Sequence, residues 1–510
     1  MGKHESYDLC IIGCGSGGFA AAMRAVDFGK DVCIVEAREI GGAGLRWGAL
    51  ASKTMWEMAK DYDVAVKMDR GYCLAGQGVS YPMVREAVLS AVRERQRQMF
   101  TQIEAYTRPR RKGFGTITYK RGWATFVAHD MVEVRRLDKG REQVRADRFL
   151  IATGSRPRKI PHIPFDRERV ITSDHVLSLK SFPKRLMIIG AGIVGCEYAT
   201  IFSNFGQTEV FLVDHKETVI PFEDEDVSCF VSQNLSENGV RIIHSALLKD
   251  IVRHKRHLEV HLSCGEDLRK VVVDTVLVSV GRVPNIDYLN MEEVCVKEPG
   301  VRCLSTNENC CFRDNIYAAG DVTHHPALVN LAEMEGRYAV KHMFDTCDWP
   351  LNYDNMPTVM FFKPAVAAVG LNERMCRERE IPFRVATYAN RLLPRAIAMG
   401  QMDGFVKIIV SDDCEGRILG MRSAGPHVSS TVISIAMIMD AGRGLHDLFK
   451  TVYPHPTMAE GIQECLRLLV GKSVYKPLAF PDLLKIRSWH PERGYHAEAS
   501  EAFEGMAGIL

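Results

Sequence analysis

The apolar residues of this chain fall in short runs that stop at glycine. Tyr7 to Gly13 reads YDLCIIG, which predicts a buried strand closed by a turn. Ala20 to Phe28 has the pattern of a helix lying on that strand, and Asp31 to Glu36, DVCIVE, predicts a second strand ending in an acid. Gly13-Cys14-Gly15-Ser16-Gly17-Gly18 joins strand to helix. The pattern returns downstream. Arg185 to Ile189 predicts a strand, Gly190-Ala191-Gly192-Ile193-Val194-Gly195 a turn, the segment through Phe205 a helix, and Glu209 to Asp214, EVFLVD, another strand ending in an acid.

Strand, glycine turn, helix, strand and terminal acid stand in the order that dinucleotide binding needs. The first glycine permits the turn and the second lets the backbone approach a pyrophosphate. The third lets the helix cross the strand closely, and the helix N-terminus faces the phosphates. The terminal acids, Glu36 and Asp214, are placed to accept hydrogen bonds from ribose hydroxyls. Two fingerprints imply two dinucleotides, the arrangement of a flavin exchanging hydride with a nicotinamide. Asp214 favours NAD, because a carboxylate repels a 2'-phosphate; His215 and Lys216 beside it leave NADP open.

Composition changes this picture little. At 510 residues, with 46% hydrophobic and 25% charged residues and net charge +2, the chain is long enough for several domains. It gives no strong nucleic-acid or membrane signal. No apolar run is long enough to span a bilayer, and the expected first strand begins too early for a signal or transit peptide. The fifteen cysteines follow no repeated spacing, and Cys10, Cys14 and Cys33 fall in expected buried strands or turns. A reducing compartment, the cytoplasm, is the expectation. No motif asks for a metal.

The stretch after the second strand carries the chemistry. Ile40-Gly41-Gly42-Ala43-Gly44-Leu45-Arg46-Trp47-Gly48-Ala49-Leu50-Ala51-Ser52-Lys53 resembles the active-site stretch of the flavin- and pyridine-nucleotide-dependent disulfide reductases. That family reads GG-x-C-x-x-x-x-C-x-x-S-K. Here the two cysteine positions hold Gly44 and Ala49, so thiol-disulfide exchange by the family's route is excluded at this site. Trp47-Gly48 is similar to the loop of the family's soluble transhydrogenases. Further motifs, in the family's order, extend the resemblance over about residues 5 to 470. They are Ile151-Ala-Thr-Gly-Ser-Arg-Pro157, Val276 to Asn285 (VLVSVGRVPN), Ile316-Tyr-Ala-Ala-Gly-Asp321-Val, and His455-Pro-Thr-Met-Ala-Glu460.

The resemblance implies an α/β fold with two Rossmann-like dinucleotide-binding domains, for FAD and NAD, and a C-terminal α+β dimerisation domain. Its layout gives residues 1–155 and 287–350 to FAD, 156–286 to NAD and 351–471 to the interface, and leaves 472–510 as an extension. It implies a homodimer and places FAD and nicotinamide contacts at Gly42, Thr153, Gly154, Gly281, Gly320 and Asp321, besides the two fingerprints. Lys53 and Glu197 would meet beside flavin N5, where an ammonium favours the charge developing on reduced flavin. Ile193 would lie at the nicotinamide pocket. His455, oriented by Glu460, would reach the other subunit's flavin, either to protonate an acceptor or only as an interface hydrogen bond.

The leading expectation is an FAD enzyme that oxidises NADH and delivers electrons to a non-disulfide acceptor of unknown identity. The alternatives are transhydrogenation between nicotinamides, a flavoprotein that serves as an assembly component or sensor, and a disulfide reductase using Cys310 and Cys311. Arg108-Pro-Arg-Arg-Lys112 reads as a solvated loop. The extension reads as packed on a neighbour or mobile, with a cap over the site as the alternative.

Overall fold

The computed structural model describes residues 5–69, 78–107, 112–138, 140–294, 303–345 and 350–497. The basic run at Arg108 to Arg111 lies outside them. Among the described residues no helix is long and apolar enough to cross a membrane. Packing divides the chain into two units. One takes in the residues up to Gly190 with Ile201–Val213 and Ala246–Leu351; the other takes in Ala191–Thr200, Asp214–Ser245 and the chain from Asn352 on.

The first unit begins with β1 (Glu5–Ile12), α1 (Ser16–Asp27) and β2 (Val32–Glu36), followed by α2 (Gly42–Arg46) and α3 (Ala49–Lys67). β3 (Ile117–Ala128), β4 (Met131–Arg136) and β5 (Arg141–Ile151) form an antiparallel run. β1 lies parallel between β2 and β5, with Cys10 opposite both Cys33 and Phe149. Every residue of β2 is buried, as expected of a parallel strand covered on both faces. Phe126, Phe149, Val35 and Ile12 join one apolar cluster on this sheet. Truncating Phe126 to alanine there would cost about 3–5 kcal/mol. α1 starts earlier than the periodicity predicts, because Gly17 and Gly18 are themselves helical. In the same unit Glu209–Val213, Arg185–Ile189, Thr275–Val278 and Val170–Thr172 run side by side, all parallel. This is the second Rossmann-like sheet.

The second unit is built on an antiparallel sheet. Thr358–Met360, Val366–Gly370, Ile418–Ala424, Phe405–Ser411 and Phe383–Ala389 are neighbours in that order. The helix Glu460–Leu469 presents Ile462, Cys465, Leu466 and Leu469 at helical spacing, and these pack with Ala386, Val406 and Ile408 in one core.

Part of the extension continues this sheet, packed on a neighbouring strand rather than mobile or set as a cap. Leu484–His490 pairs antiparallel with Phe383–Ala389, and Gly494–Ala497 pairs in turn with it. Trp489 stacks on Phe383 at 5.8 Å between ring centroids. Tyr495 Oη donates to Glu373 Oε2 at 3.1 Å, and Arg487 Nε donates to the same oxygen at 3.0 Å. Below them Lys407, fully buried, lies 2.7 to 2.9 Å from Asp224, Asp226 and Glu373. Those three carboxylates are close enough together to hold a cation. The Lys407 ammonium fills that place. Burial alone would pull the lysine pKa down; Glu373, Asp226 and Asp224 outweigh it and push it up to about 12.

Candidate active site

The two glycine turns make corresponding backbone hydrogen bonds. Gly13 N donates to Val35 O and Gly190 N to Val213 O, each at 2.8 Å. Both glycines have positive φ, 103° and 105°. A Cβ on Gly13 would stand 2.4 Å from Ala152 O, and one on Gly190 2.3 Å from Ser279 O. Only glycine fits the crossing of turn and neighbouring strand. Each terminal acid is fastened to its own turn. Glu36 Oε2 accepts from Cys14 N, and Asp214 Oδ2 from Ala191 N, both at 2.6 Å. The other oxygens accept from Arg38 N at 2.7 Å and Lys216 N at 2.9 Å. Burial raises the Glu36 pKa, although the Cys14 and Arg38 amides oppose it.

Residues for FAD come together in the first unit. Gly15 and Ser16 open α1, with Gly17 and Gly18 in its first turn. Gly42 lies against Gly15, and a Cβ on Gly42 would come 2.9 Å from the Gly15 Cα, so the loops form a cradle with no room for a side chain. Asn285 Nδ2 donates to Thr153 O, and Asn285 N to Gly154 O, each at 2.9 Å. Thr153 Oγ1 is buried with no hydrogen-bond partner among the described residues. A buried hydroxyl without a partner costs free energy unless a bound group satisfies it. Cradle and orphaned hydroxyl both fit a dinucleotide.

Asp321 is held from the side. Ser155 Oγ donates to Asp321 Oδ2 at 2.6 Å, and Arg282 Nε donates to Ser155 Oγ at 2.7 Å, next to Gly281. Ser155 and Arg282 lie inside the recognised motifs, yet motif reading gives them no task. Their pairing between segments far apart in sequence carries no local signal.

The stretch that replaces the dithiol is compact. α2 contains Gly44 and Arg46, and α3 begins at Ala49. A Cβ built on Gly44 would stand 2.8 Å from Val329 Cγ2 and 3.8 Å from Ser16 Oγ. Val329, the first residue of the helix Val329–Phe344, thus occupies space that a side chain at 44 would need. Arg46 binds Glu39 at 2.8 Å and lies 5.0 Å from the Trp47 ring centroid, with Arg38 5.9 Å from the same ring. The Arg46 guanidinium is therefore engaged by a carboxylate and an indole.

The remaining candidates stand as follows. Lys53 is half-buried in α3. Ile193 opens the helix Ile193–Asn204, which also holds Gly195 and Glu197, and Gly192 immediately precedes it. Glu197 is buried and its Oε1 accepts from Phe361 N at 3.1 Å. His455 Nδ1 and Glu460 Oε1 are 2.8 Å apart, while Glu460 Oε2 accepts from Thr457 N at 2.8 Å, so the turn does orient the imidazole. His455 is exposed. Cys310 and Cys311 are both free thiols, like all twelve described cysteines. Cys310 is buried; burial, then Asp314, raises the Cys311 pKa and disfavours the thiolate that redox chemistry needs.

Beside Asp214, an open cavity of about 680 Å³ is lined by His215, Lys216 and Arg374 among others. One further pair escapes sequence reading. Glu335, fully buried, accepts from Gly320 N through Oε2 and stands 2.6 Å from His325 Nδ1 through Oε1.

Residues 7–336 match the model of the pyridine nucleotide-disulphide oxidoreductases, and residues 356–466 match the dimerisation domain of the same group. These matches agree with the expected FAD and NAD domains followed by a dimerisation domain, and support a homodimer. The chain is 30% identical over 487 residues to a dihydrolipoyl dehydrogenase of Chlamydia trachomatis, covering 93% of this chain and 99% of that protein. It is 29% identical over 481 residues to one of Bacillus subtilis, covering 92% and 99%. The crystal structure of LpdA from Mycobacterium tuberculosis shares the fold, with a TM-score of 0.82, 24% identity and coverage of 91% and 99%.

Proposed function

The chain belongs to the pyridine nucleotide-disulphide oxidoreductase family, whose members are FAD- and NAD(H)-dependent oxidoreductases, and from that premise we propose that it oxidises NADH and passes the electrons to an acceptor that is not a disulfide. The observation that carries this reading is Gly44, where no thiol stands and Val329 takes up the adjoining space. Ala49 lacks the second thiol.

FAD, held by the first glycine turn, Gly42, Thr153 and Asp321, supplies the two-electron carrier. Asp214 holds the ribose of NADH, and Ile193 leaves the nicotinamide pocket apolar. Lys53 stabilises charge that develops during hydride transfer. His455, oriented by Glu460, serves the partner subunit. The domain layout we adopt is 1–155 with 287–350 for FAD, 156–286 for NAD and 351–471 for dimerisation. Free cysteines suit the cytoplasm.

Anaerobic stopped-flow reduction by NADH, followed by mixing with ferricyanide, benzoquinone or oxidised lipoamide, tests the reading. Fast flavin reduction, reoxidation by the first two and none by lipoamide is the expected result. Rapid turnover with lipoamide would overturn it.

A further inference from the structure

The loop that runs from Asp321 to Val329 joins the residue assigned to FAD to the side chain lying over Gly44. It carries two adjacent imidazoles, His324 and His325, with ring centroids 4.1 Å apart. The second is built into the protein. His325 Nδ1 lies 2.6 Å from Oε1 of the fully buried Glu335, and the His325 backbone N–H bonds Thr323 Oγ1 at 3.3 Å. Glu335 Oε2 is taken by Gly320 N, so the carboxylate cannot turn away without breaking the turn that presents Asp321. The ring is therefore fixed in orientation. Its Nδ1 faces the buried carboxylate and its Nε2 faces the opposite way, as when a carboxylate selects an imidazole tautomer.

The loss of the dithiol creates a chemical need that this geometry meets. NADH gives up a hydride, two electrons and one proton, and becomes NAD⁺. A quinone that ends as a hydroquinone takes that hydride equivalent and one more proton. We propose that His325, oriented by Glu335, supplies that second proton from Nε2 to a carbonyl-bearing two-electron acceptor of the quinone class, on the side of the site where Val329 covers Gly44. The donor is the imidazolium, which reverts to the neutral ring protonated on Nδ1 and regains its Nε2 proton from solvent, so that NADH, quinone and one proton give NAD⁺ and hydroquinone. Glu335 is the positioning residue. This inference rests on the non-disulfide reading above.

The test uses the FAD-loaded dimer reduced by NADH without oxygen, with ferricyanide and benzoquinone as probes. Ferricyanide takes electrons and no proton; benzoquinone takes both. His325→Asn keeps a donor near the Nδ1 position for Glu335 and removes Nε2. It should slow reoxidation by benzoquinone tenfold or more, in line with the scale of general acid catalysis, and leave reoxidation by ferricyanide within twofold. Equal slowing with both probes, or none with either, overturns the proposal. If the wild type is reoxidised by neither, the non-disulfide reading falls and takes this inference with it. A second readout needs no turnover: ¹⁵N-labelled imidazole spectra, with His325 assigned from the variant, should show the neutral ring protonated on Nδ1. A neutral ring carrying its proton on Nε2 overturns the assignment.

Discussion

Asp214 Oδ2 accepts the backbone N–H of Ala191 at 2.6 Å, so the acid expected to read the ribose also fastens the glycine turn beneath the dinucleotide. Substitutions at 214 therefore separate two roles. Asp214→Asn keeps an oxygen for Ala191 and removes the charge that repels a 2'-phosphate. It should narrow the preference for NADH over NADPH, since His215, Lys216 and Arg374 line the adjoining cavity. Asp214→Ala removes both roles and should weaken NADH binding by roughly 1–3 kcal/mol. Stopped-flow reduction with each nicotinamide measures this, and an unchanged preference in the Asn variant would take discrimination away from the charge.

Lys53→Met should slow flavin reduction at saturating NADH, on the order of a hundredfold, while leaving the NADH dissociation constant nearly unchanged. The ammonium acts on charge that forms only during hydride transfer, so its loss falls on the limiting rate. An unaltered limiting rate in a variant that retains FAD would place Lys53 outside the reactive shell.

How much of this was legible depends on the range of the interaction. The glycine turns and their acids could be read because turn, strand end and helix start are neighbours in sequence. The pairing of His455 with Glu460 comes from the resemblance, not from spacing. Val329 against Gly44, Arg282 on Ser155 and Glu335 on His325 could not be read, because each joins segments that only the fold brings together. The sheet pairing of the extension is hidden in the sequence for a related reason. Leu484–His490, LKIRSWH, has little apolar content, and its strand is made by the open edge of Phe383–Ala389 and by Glu373, which receives Arg487 and Tyr495.

The Lys407 cluster predicts how acid unfolds the second unit. Burial opposes ionisation of Glu373 and Asp224, yet Lys407, with Arg487 at Glu373, holds both carboxyls below their ordinary values. For a carboxyl with a depressed folded pKa, the stabilisation is complete above the unfolded value and is lost as pH falls through the folded one. Melting temperature should therefore fall from about pH 5 downward, and less steeply in Glu373→Gln than in the wild type. Lys407→Met leaves three carboxylates without their shared cation and should cost about 3–5 kcal/mol near neutral pH. Calorimetry of the FAD-loaded protein across this range decides it. A wild type and a Glu373→Gln variant with parallel acid profiles would remove the cluster from the account.

Gly44 and Ala49 leave one FAD as the only two-electron centre expected in each subunit. Anaerobic titration with dithionite should consume one two-electron equivalent per FAD, without the thiolate-to-flavin charge-transfer band that a neighbouring dithiol gives. Restoring the cysteines is not a matter of two codons. A Cβ at 44 would lie 2.8 Å from Val329 Cγ2, closer than carbon atoms pack, so Gly44→Cys must displace that side chain. The double variant Gly44→Cys/Ala49→Cys should therefore gain its second equivalent poorly, and the triple variant with Val329→Ala should gain it in full. A second equivalent already present in the wild type, and lost when Cys310 and Cys311 are both changed to serine, would overturn the non-disulfide reading and return the electrons to a thiol pair elsewhere in the chain.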